Sequence, residues 1–452
     1  WPQEVGLDRL IKIEKDFLNK DSYLKIKDNA PREVLSLIEV INIVDADATG
    51  FENGSSWENA YADLQDALAA ARNCESITQI WIAEGIYKPT NDFNTEISFE
   101  LVHGVSLFGG FNGTENSLEE RDWETQKSIL SGLLLERPDA NRPIRSVCVV
   151  SGNNLDSNTI IDGITIKEAY YSSFPKSDNQ GGMSLTKTDP NLFSNPTIKN
   201  CRFESNTNED AEGGGLRLIN VSPIIDNCIF ENNYADDDGG AVYAKGSESL
   251  RIINSLFYNN EALDFGGAIA LIESNLNIEN SIFHNNLLFL DGGGGAIYAG
   301  EGCEVIIRNS NFVANSLGDE DGDGAALYVF GTTTVYNSIF WRNGNQGIAQ
   351  PGDELEPWER AYPLEGNQDE LTLSHCLFQG GWPGEGNIDG NPEFIDIANR
   401  DFRLLANSPA IDAGLNAEVT LPTDLLGNPR IIGGTVDIGT YEFQSVITQG
   451  DS

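Results

Sequence analysis

The sequence predicts an all-β chain folded as a parallel β-helix, and the evidence is two short phrases repeated in step. The first phrase ends in Phe and places that residue at positions 203, 230, 257, 283, 312 and 340, so the spacings are 27, 27, 26, 29 and 28 residues. The second phrase is a glycine or alanine pair before an aliphatic residue: Gly214-Gly215-Leu216, Gly240-Ala241-Val242, Gly267-Ala268-Ile269, Gly295-Ala296-Ile297 and Ala325-Ala326-Leu327. Two markers with one period indicate an array of equivalent structural units.

The residues between the markers favour strands over helices. Residues 250–257 alternate with period two and are rich in β-branched and aromatic side chains, while Gly and Asn interrupt every unit. Each unit therefore predicts one coil of a solenoid, stacked on the next at about 4.8 Å. We expect Phe, Ile and Val ladders inside, and a tight corner at the glycines. The Asn that opens each first phrase is expected at a bend, each amide bonding to the next, and the small residue after it is expected to point inward. These two positions hold Asn200, Asn227, Asn254, Asn280, Asn309 and Asn337, followed by Cys201, Cys228, Ser255, Ser281, Ser310 and Ser338.

The Gly-Gly-Ala-Ile phrases pair with Phe-x-x-Asn phrases, as in Phe230 to Asn233 and Phe257 to Asn260. These pairs resemble the repeats of polymorphic outer-membrane proteins and the wider right-handed parallel β-helix group of bacterial surface proteins. That group is similar to the pectin-lyase superfamily, which contains lyases, hydrolases and adhesins. The resemblance implies a fold and leaves the function open.

The ends of the chain differ from the repeats. Residues 1–40 hold 7 of the 28 Lys and Arg residues with helical spacing of apolar side chains, which predicts a helical leader. A β-helix over 41–400 is expected next, and it includes a capping helix at 56–73 that Ser55-Ser56 caps. Residues 401–452 resemble the choice-of-anchor Q region of exported surface proteins. No signal peptide and no apolar run of about 20 residues is visible, so we expect a processed, exported chain without a transmembrane segment.

The net charge and the cysteine spacing limit the kinds of partner and metal site that the chain can have. The 70 acidic and 28 basic residues give a net charge of −42, which argues against nucleic acid and anionic membrane surfaces as partners. The six cysteines show no metal-binding spacing. Cys201 and Cys228 occupy the same position in adjacent coils, where either a disulfide or a reduced, buried pair would fit.

Acidic residues precede the glycine corner in coil after coil, among them Asp236 and Asp238. Stacked carboxylates repel one another unless a cation screens them, and Ca²⁺ prefers oxygen ligands. Asp319, Asp321 and Asp323 match the opening half of an EF-hand loop, although Phe330 stands where the closing Glu would be. The sequence predicts Ca²⁺ at these residues, with a solvated acidic turn as the alternative.

One face of the solenoid is the candidate ligand-binding surface. The residue after each inward aliphatic residue should point outward, and these positions include Arg217, Tyr243, Tyr298 and Tyr328. Rings spaced along a rigid face either stack on sugar rings or pack under neighbouring loops. Excursions at 168–196 and 344–384 are expected to wall a groove and carry further aromatic residues, including Trp358, Tyr362 and Trp382.

The sequence offers little for catalysis. Its three histidines, His103, His284 and His375, do not form a motif, and basic residues of the repeats do not cluster around an acidic pair. We therefore predict an exported cell-surface scaffold, associated with a bacterial outer membrane, for adhesion or display, which binds glycan or a partner protein. The alternatives are a polysaccharide lyase or glycoside hydrolase on the same face, and a structural subunit of an outer-membrane assembly.

Overall fold

The computed structural model describes residues 40–137, 143–172, 180–290, 292–318, 324–345, 364–366 and 371–444. The chain divides into two compact units. Unit 1 comprises the described residues up to Tyr171 together with 180–204, and unit 2 comprises those from Ser205 onward. The predicted leader lies outside the described residues except for Val40.

Unit 1 contains three sets of parallel strands. One set runs Val40–Val44, Ile77–Ala83, Ser106–Phe111, Ile160–Asp162 and Thr197–Lys199. A second runs Gly85–Tyr87, Ser128–Ser131, Ile164–Lys167 and Arg202–Glu204, and a third Phe99–Glu100, Cys148–Asn153 and Gly181–Thr186. The remaining elements are an antiparallel pair at Leu133–Leu135 and Ile144–Arg145, a short strand at Tyr170–Tyr171 and a 3₁₀ turn at Leu118–Glu120.

The capping helix of unit 1 is shorter than the sequence predicts. It spans Leu64–Arg72 rather than 56–73, because Asp63 is the N-cap and its side chain accepts a hydrogen bond from the Gln65 amide. Ser56 instead closes a turn, in which its hydroxyl accepts from the Asn59 amide at 3.2 Å. The helix buries Leu64, Ala67, Leu68 and Ala71 and lies against the first two strands, as a cover for the terminal coil requires.

Unit 2 is a solenoid of four parallel sheets, numbered here in the order in which a coil visits them. Sheet 1 comprises Thr207–Asn208, Tyr234–Ala235, Glu261–Ala262, Leu287–Leu288, Ser316–Leu317 and Gly344–Asn345. Sheet 2 comprises Leu216–Ile219, Val242–Lys245, Ile269–Ile272, Ile297–Ala299, Leu327–Val329 and Leu364–Gly366. Sheet 3 comprises Ile224–Asp226, Leu250–Ile253, Asn275–Glu279, Glu304–Arg308, Thr332–Tyr336 and Leu371–Ser374. Sheet 4 comprises Ile229–Glu231, Leu256–Tyr258, Ile282–His284, Asn311–Val313, Ile339–Trp341, Leu377–Phe378 and Ile388–Asp389.

The predicted phenylalanine ladder fills the interior behind sheet 4. Phe230 and Phe257 stack with ring centroids 4.8 Å apart and an interplanar angle of 1°, and Phe257 stacks on Phe283 at 4.6 Å. The series continues through Phe312 and Phe340 to Phe378. Each ring of the ladder is at most 1% exposed. The small residues after the bend also point inward as predicted, and each serine hydroxyl from Ser255 to Ser338 accepts the backbone amide of the preceding coil.

The continuous amide ladder differs from the predicted one. It is formed by the last Asn of each Phe-x-x-Asn phrase, where Asn233 Nδ2 donates to Asn260 Oδ1 at 3.0 Å and Asn260 Nδ2 to Asn286 Oδ1 at 3.0 Å. Each of these oxygens also accepts a backbone amide of the preceding coil. The ladder comprises Asn206, Asn233, Asn260, Asn286, Asn315 and Asn343.

The first-phrase asparagines occupy the predicted bend for a different reason. Asn227, Asn254 and Asn280 have φ values of 53°, 51° and 57°, a left-handed conformation that Asn tolerates better than most residues. Their side-chain bonds are irregular: Asn280 donates to Asn254, but Asn254 donates to Asp226. The bend prediction is therefore confirmed, and its uniform amide ladder is wrong.

The glycine corner has two separate requirements. Gly239 and Gly266 need positive φ, at 67° and 64°. The following Gly240 needs a missing side chain, because a Cβ there would lie 2.3 Å from the Glu261 carbonyl oxygen in the next coil. The corner therefore keeps neighbouring coils within backbone contact.

The C-terminal segment, residues 390–443, packs along the outer surface of sheet 4. Its apolar side chains form one buried cluster with outward residues of successive coils: Tyr258, Ile282, Val313, Ile339 and Leu377 from the solenoid, and Phe394, Phe402, Leu404, Ala410 and Ile438 from the segment. Polar contacts reinforce this packing at Arg400 to Glu231 (2.8 Å) and Arg308 to Glu418 (3.1 Å). The segment includes an antiparallel pair, Phe394–Asp396 with Asp401–Leu404, and 3₁₀ turns at Ile397–Asn399 and Asn416–Glu418.

A buried charge group lies inside this segment. Asp424, Arg430, Asp437 and Glu442 are each at most 4% exposed, and the Arg430 guanidinium approaches Glu442 Oε1 at 3.6 Å. Burial, reinforced by the Asp437 carboxylate and opposed by Arg430, raises the pKa of Glu442 to about 8. Glu442 is thus neutral at neutral pH, which leaves fewer unpaired charges in the interior.

Replacing Asn260 by Ala should lower the melting temperature of the protein by several degrees. The change removes one rung of the buried ladder and leaves the Asn233 amide without its acceptor, a cost of about 1–3 kcal/mol. Asn259→Gly is the matched control, because Asn259 belongs to an exposed ladder and its φ of 53° suits Gly. Thermal unfolding monitored by circular dichroism measures both. Equal losses in the two variants would contradict the structural role of the buried ladder.

The stability of the protein should fall as the pH rises from 6.5 to 8. The folded pKa of Glu442 is about 8 against an ordinary value of 4.5, so across this interval the folded state holds a proton that the unfolded state has released. His284 has the opposite shift, to a pKa of about 4 from 6.5, and acts at lower pH. Glu442→Gln mimics the protonated acid and should flatten the melting temperature between pH 6.5 and 8. A slope that survives in this variant would assign it to another group.

Candidate ligand-binding face

Four partly exposed rings form a continuous cluster on unit 2, here called the aromatic strip: Phe265, Tyr298, Tyr328 and Phe330. Phe265 and Tyr298 lie 4.4 Å apart at an interplanar angle of 33°. Tyr298 and Tyr328 lie 5.9 Å apart, and Tyr328 meets Phe330 edge-on at 4.8 Å. The strip presents flat apolar surface with two phenolic hydroxyls.

The repeat pattern positions the two tyrosines. Tyr298 and Tyr328 are register partners in sheet 2, and their strand neighbours Ile297 and Ala299 are fully buried. Strand alternation therefore turns both tyrosines outward, as the sequence predicts. They are partly covered, because a Cβ on Gly293 would lie 1.8 Å from the Tyr328 ring.

Phe265 reaches the strip from the loop before the glycine corner. It forms isolated parallel bridges with Asp238 on one side and Gly293 on the other, so the loops stack as the coils do. Phe265 and Phe330 escape the sequence analysis, because neither residue recurs at its repeat position. The bridge position holds Asp, Phe and Gly in successive coils, so no periodic signal marks it.

The other residues predicted on this face have different surroundings. Tyr243 is 6% exposed, so its ring is unavailable for stacking and the alternative expectation, packing beneath neighbouring residues, describes it. Arg217 lies 3.6 Å from Glu212, with side-chain exposures of 19% and 23%. Burial raises the pKa of the Tyr243 hydroxyl, the carboxylates of Glu212 and Asp238 add to the shift, and Arg217 opposes it.

Of the three aromatic residues predicted on the excursions, Trp382 alone lies in the part of the chain that the structure describes. Trp382 lies beside Phe378 with centroids 6.0 Å apart, next to the last ring of the phenylalanine ladder. This contact gives Trp382 a structural role at the end of that ladder. Trp358 and Tyr362 lie outside the described residues.

The acidic edge is present before the glycine corner. Asp236 accepts a hydrogen bond from the Tyr234 hydroxyl at 2.5 Å. Burial together with the charges of Asp237 and Asp236 raises the pKa of Asp264. The predicted crowding of carboxylates is therefore a real electrostatic feature of this edge.

No metal cluster is found in the part of the chain that the structure describes, since it contains no group of three or more His, Cys, Asp or Glu arranged to hold an ion. Asp236 and Asp238 accordingly lack a third ligand of these types among the described residues. Asp319, Asp321 and Asp323 lie outside them, and Ca²⁺ at that loop stays a prediction.

The surroundings of the histidines and cysteines indicate structural roles for these residues. His284 packs edge-on against Phe402 at 5.2 Å, and burial together with Arg400 lowers its pKa to about 4. His375 has a φ of 52° at the bend position that Asn fills in other coils. His103 lies 3.7 Å from Asp156 in unit 1. The six cysteines, all of which the structure describes, form no disulfide with one another, and this includes Cys201 and Cys228.

Comparisons with known proteins agree with this architecture. Residues 145–354 match the family model described as a right handed beta helix region. The chain carries a right-handed parallel β-helix. No curated protein matches the sequence. The specific likeness to polymorphic outer-membrane repeats and to the choice-of-anchor Q region stays a prediction.

Two solved structures are similar at low identity. The first is pectate lyase Pel9A, at 16% identity and a TM-score of 0.49, covering 89% of this chain and 96% of that one. The second is a rhamnogalacturonan lyase, at 11% identity and a TM-score of 0.43, covering 87% of this chain and 95% of that one.

Among the described residues, no helix has the length and apolarity needed to span a membrane.

If Asp319, Asp321 and Asp323 bind Ca²⁺, adding Ca²⁺ to chelator-treated protein should raise the melting temperature by on the order of 5 °C. The estimate assumes free Ca²⁺ at about 100 times its Kd, which stabilises by about 2.7 kcal/mol. Replacing all three residues by Asn should abolish the shift. Mg²⁺ at the same concentration controls for charge screening, and absence of a Ca²⁺ effect at low ionic strength would contradict the prediction.

Proposed function

We propose that this protein is an exported cell-surface β-helix that binds glycan through the aromatic strip and serves in adhesion or display. The observation that carries the proposal is the strip itself, four partly exposed rings held by parallel coils. Aromatic faces supply large contact area with little side-chain entropy to lose on binding. The rigid ladders beneath the strip hold the rings in place, which further reduces the conformational entropy lost when a ligand binds.

The chemistry of the strip suits a sugar chain. Sugar rings have an apolar face that packs on aromatic rings and hydroxyls that hydrogen-bond to phenols and carboxylates. The acidic edge also acts on the strip, since burial and then the charge of Asp238 raise the pKa of the Tyr298 hydroxyl. The surface thus combines a stacking platform with hydrogen-bonding groups, as small-molecule sites commonly do.

A polysaccharide lyase or hydrolase is the second candidate. The observation in its favour is that Arg217 shares the surroundings of Tyr243 with the carboxylates of Glu212, Asp237 and Asp238. A basic group beside carboxylates is what proton abstraction from an acidic sugar requires. Incubation with uronate polysaccharides that yields unsaturated products absorbing at about 235 nm would support lyase activity over a binding function alone.

Tyr298→Ala should weaken binding to the best oligosaccharide of a glycan panel by about two- to tenfold. The loss corresponds to one aromatic contact of roughly 0.5–1.5 kcal/mol. Isothermal titration calorimetry measures the affinity, and Tyr298→Phe, which keeps the ring, should retain most of it. Phe193→Ala is the control, because Phe193 is 84% exposed and belongs to unit 1. Failure of the wild-type protein to bind any glycan, or equal losses in Tyr298→Ala and Phe193→Ala, would overturn the proposal.

A further inference from the structure

We propose that the aromatic strip selects glycans that carry positive charge, in particular amino-sugar oligomers, and rejects uronic-acid polymers. This inference rests on the proposed function and adds the charge class of the ligand. The charges that surround the strip support this selectivity.

The charged side chains that act on the centre of the strip are acidic. Asp238 and Glu301 both raise the pKa of the Tyr298 hydroxyl, in addition to burial. Asp264 is exposed and directly precedes Phe265 in the chain, and Asp238 is the bridge partner of Phe265 in the preceding coil. A ligand lying on these rings therefore meets negative charge along its length.

Arg217, a cation of the same sheet, is already engaged by a carboxylate. Arg217 lies 3.6 Å from Glu212, and the surroundings of Tyr243 also include Asp237 and Asp238. One guanidinium among several carboxylates leaves a net negative field. The whole chain adds to it with a net charge of −42.

This field discriminates between sugars of the same size and shape. A uronate would bring a carboxylate against Asp264 and Glu301, and the repulsion would oppose stacking. An ammonium group gains from the same carboxylates and from the negative face of a tyrosine ring. A neutral sugar gains neither, so affinity should follow the order amino sugar, neutral sugar, uronate.

The arrangement of the rings favours a glycan over a basic peptide. Tyr298 and Tyr328 are register partners in adjacent coils with centroids 5.9 Å apart, so flat surfaces recur along the solenoid axis. A polymer of rigid rings can place successive units on such a series without ordering a flexible backbone. A lysine-rich peptide would have to lose more conformational entropy for the same contacts.

The test compares hexamers of glucosamine, N-acetylglucosamine and galacturonate at about pH 6, below the pKa expected of an amine. The glucosamine hexamer should bind at least about tenfold tighter than the N-acetylated one at roughly 0.01 M salt, and the difference should shrink at roughly 1 M salt. The double variant Asp264→Asn with Glu301→Gln should lose most of this preference while still binding the N-acetylated hexamer. The control double variant, Glu96→Gln with Glu248→Gln, changes the net charge equally at exposed positions outside the strip.

Each outcome has one meaning. Equal affinity for the charged and neutral hexamers, or tighter binding of galacturonate, would overturn the charge inference and leave glycan binding intact. A lysine hexamer that binds as tightly as the glucosamine hexamer would also overturn it, since the surface would then be a general polycation site. No binding of any hexamer would also overturn the charge inference, and only failure of the whole glycan panel would overturn the proposed function. Loss of preference in the control variant would assign selectivity to the overall charge and not to the strip.

Discussion

The buried asparagine ladder is the interaction on which the rest of unit 2 depends. Each ladder amide nitrogen donates to the next coil, and each ladder oxygen accepts both the side-chain amide and the backbone amide of the preceding coil, so adjacent coils are held in one register. Unpaired amides would be costly inside an apolar solenoid, and a shift of one residue would unpair the whole series. The phenylalanine stack and the serine ladder follow from this register, because equivalent residues become neighbours only when the coils align.

The C-terminal segment adds a different kind of constraint. Ladder contacts join one coil to the next, whereas the segment contacts coils from Glu231 to Leu377 with a single stretch of chain. In a repeat array each unit otherwise touches only its neighbours, and local opening is inexpensive. By covering the outer surface of sheet 4, the segment couples these coils and makes opening of any one of them expose a shared apolar cluster.

The repeats could be predicted from the sequence because their signal is periodic. The Phe ladder, the inward small residues and the outward tyrosines all follow from one period and strand alternation. The sequence contains two periodic Asn positions, however, and periodicity alone cannot tell which side chain faces the interior. Backbone conformation decides between them, since Asn254 adopts positive φ at a corner while Asn260 lies within the buried wall. The contact of Arg400 with Glu231 spans 169 residues and has no periodic signal.

Only part of the aromatic strip could be predicted from the sequence, and the reason also explains why the strip suits ligand binding. Its tyrosines come from repeat positions, whereas Phe265, Phe330 and Gly293 come from positions where the repeat varies. Whether a tyrosine such as Tyr243 or Tyr298 is covered or exposed therefore depends on which residue occupies the variable positions around it. A scaffold fixed by ladders tolerates such variation on its outer loops, because coil register does not depend on those loops. Selection can then change the ring pattern and the charge beside it without changing the fold. The same division explains why the β-helix architecture by itself identifies no ligand: the buried amides hold the fold together, and the binding chemistry lies in residues that the repeat does not specify.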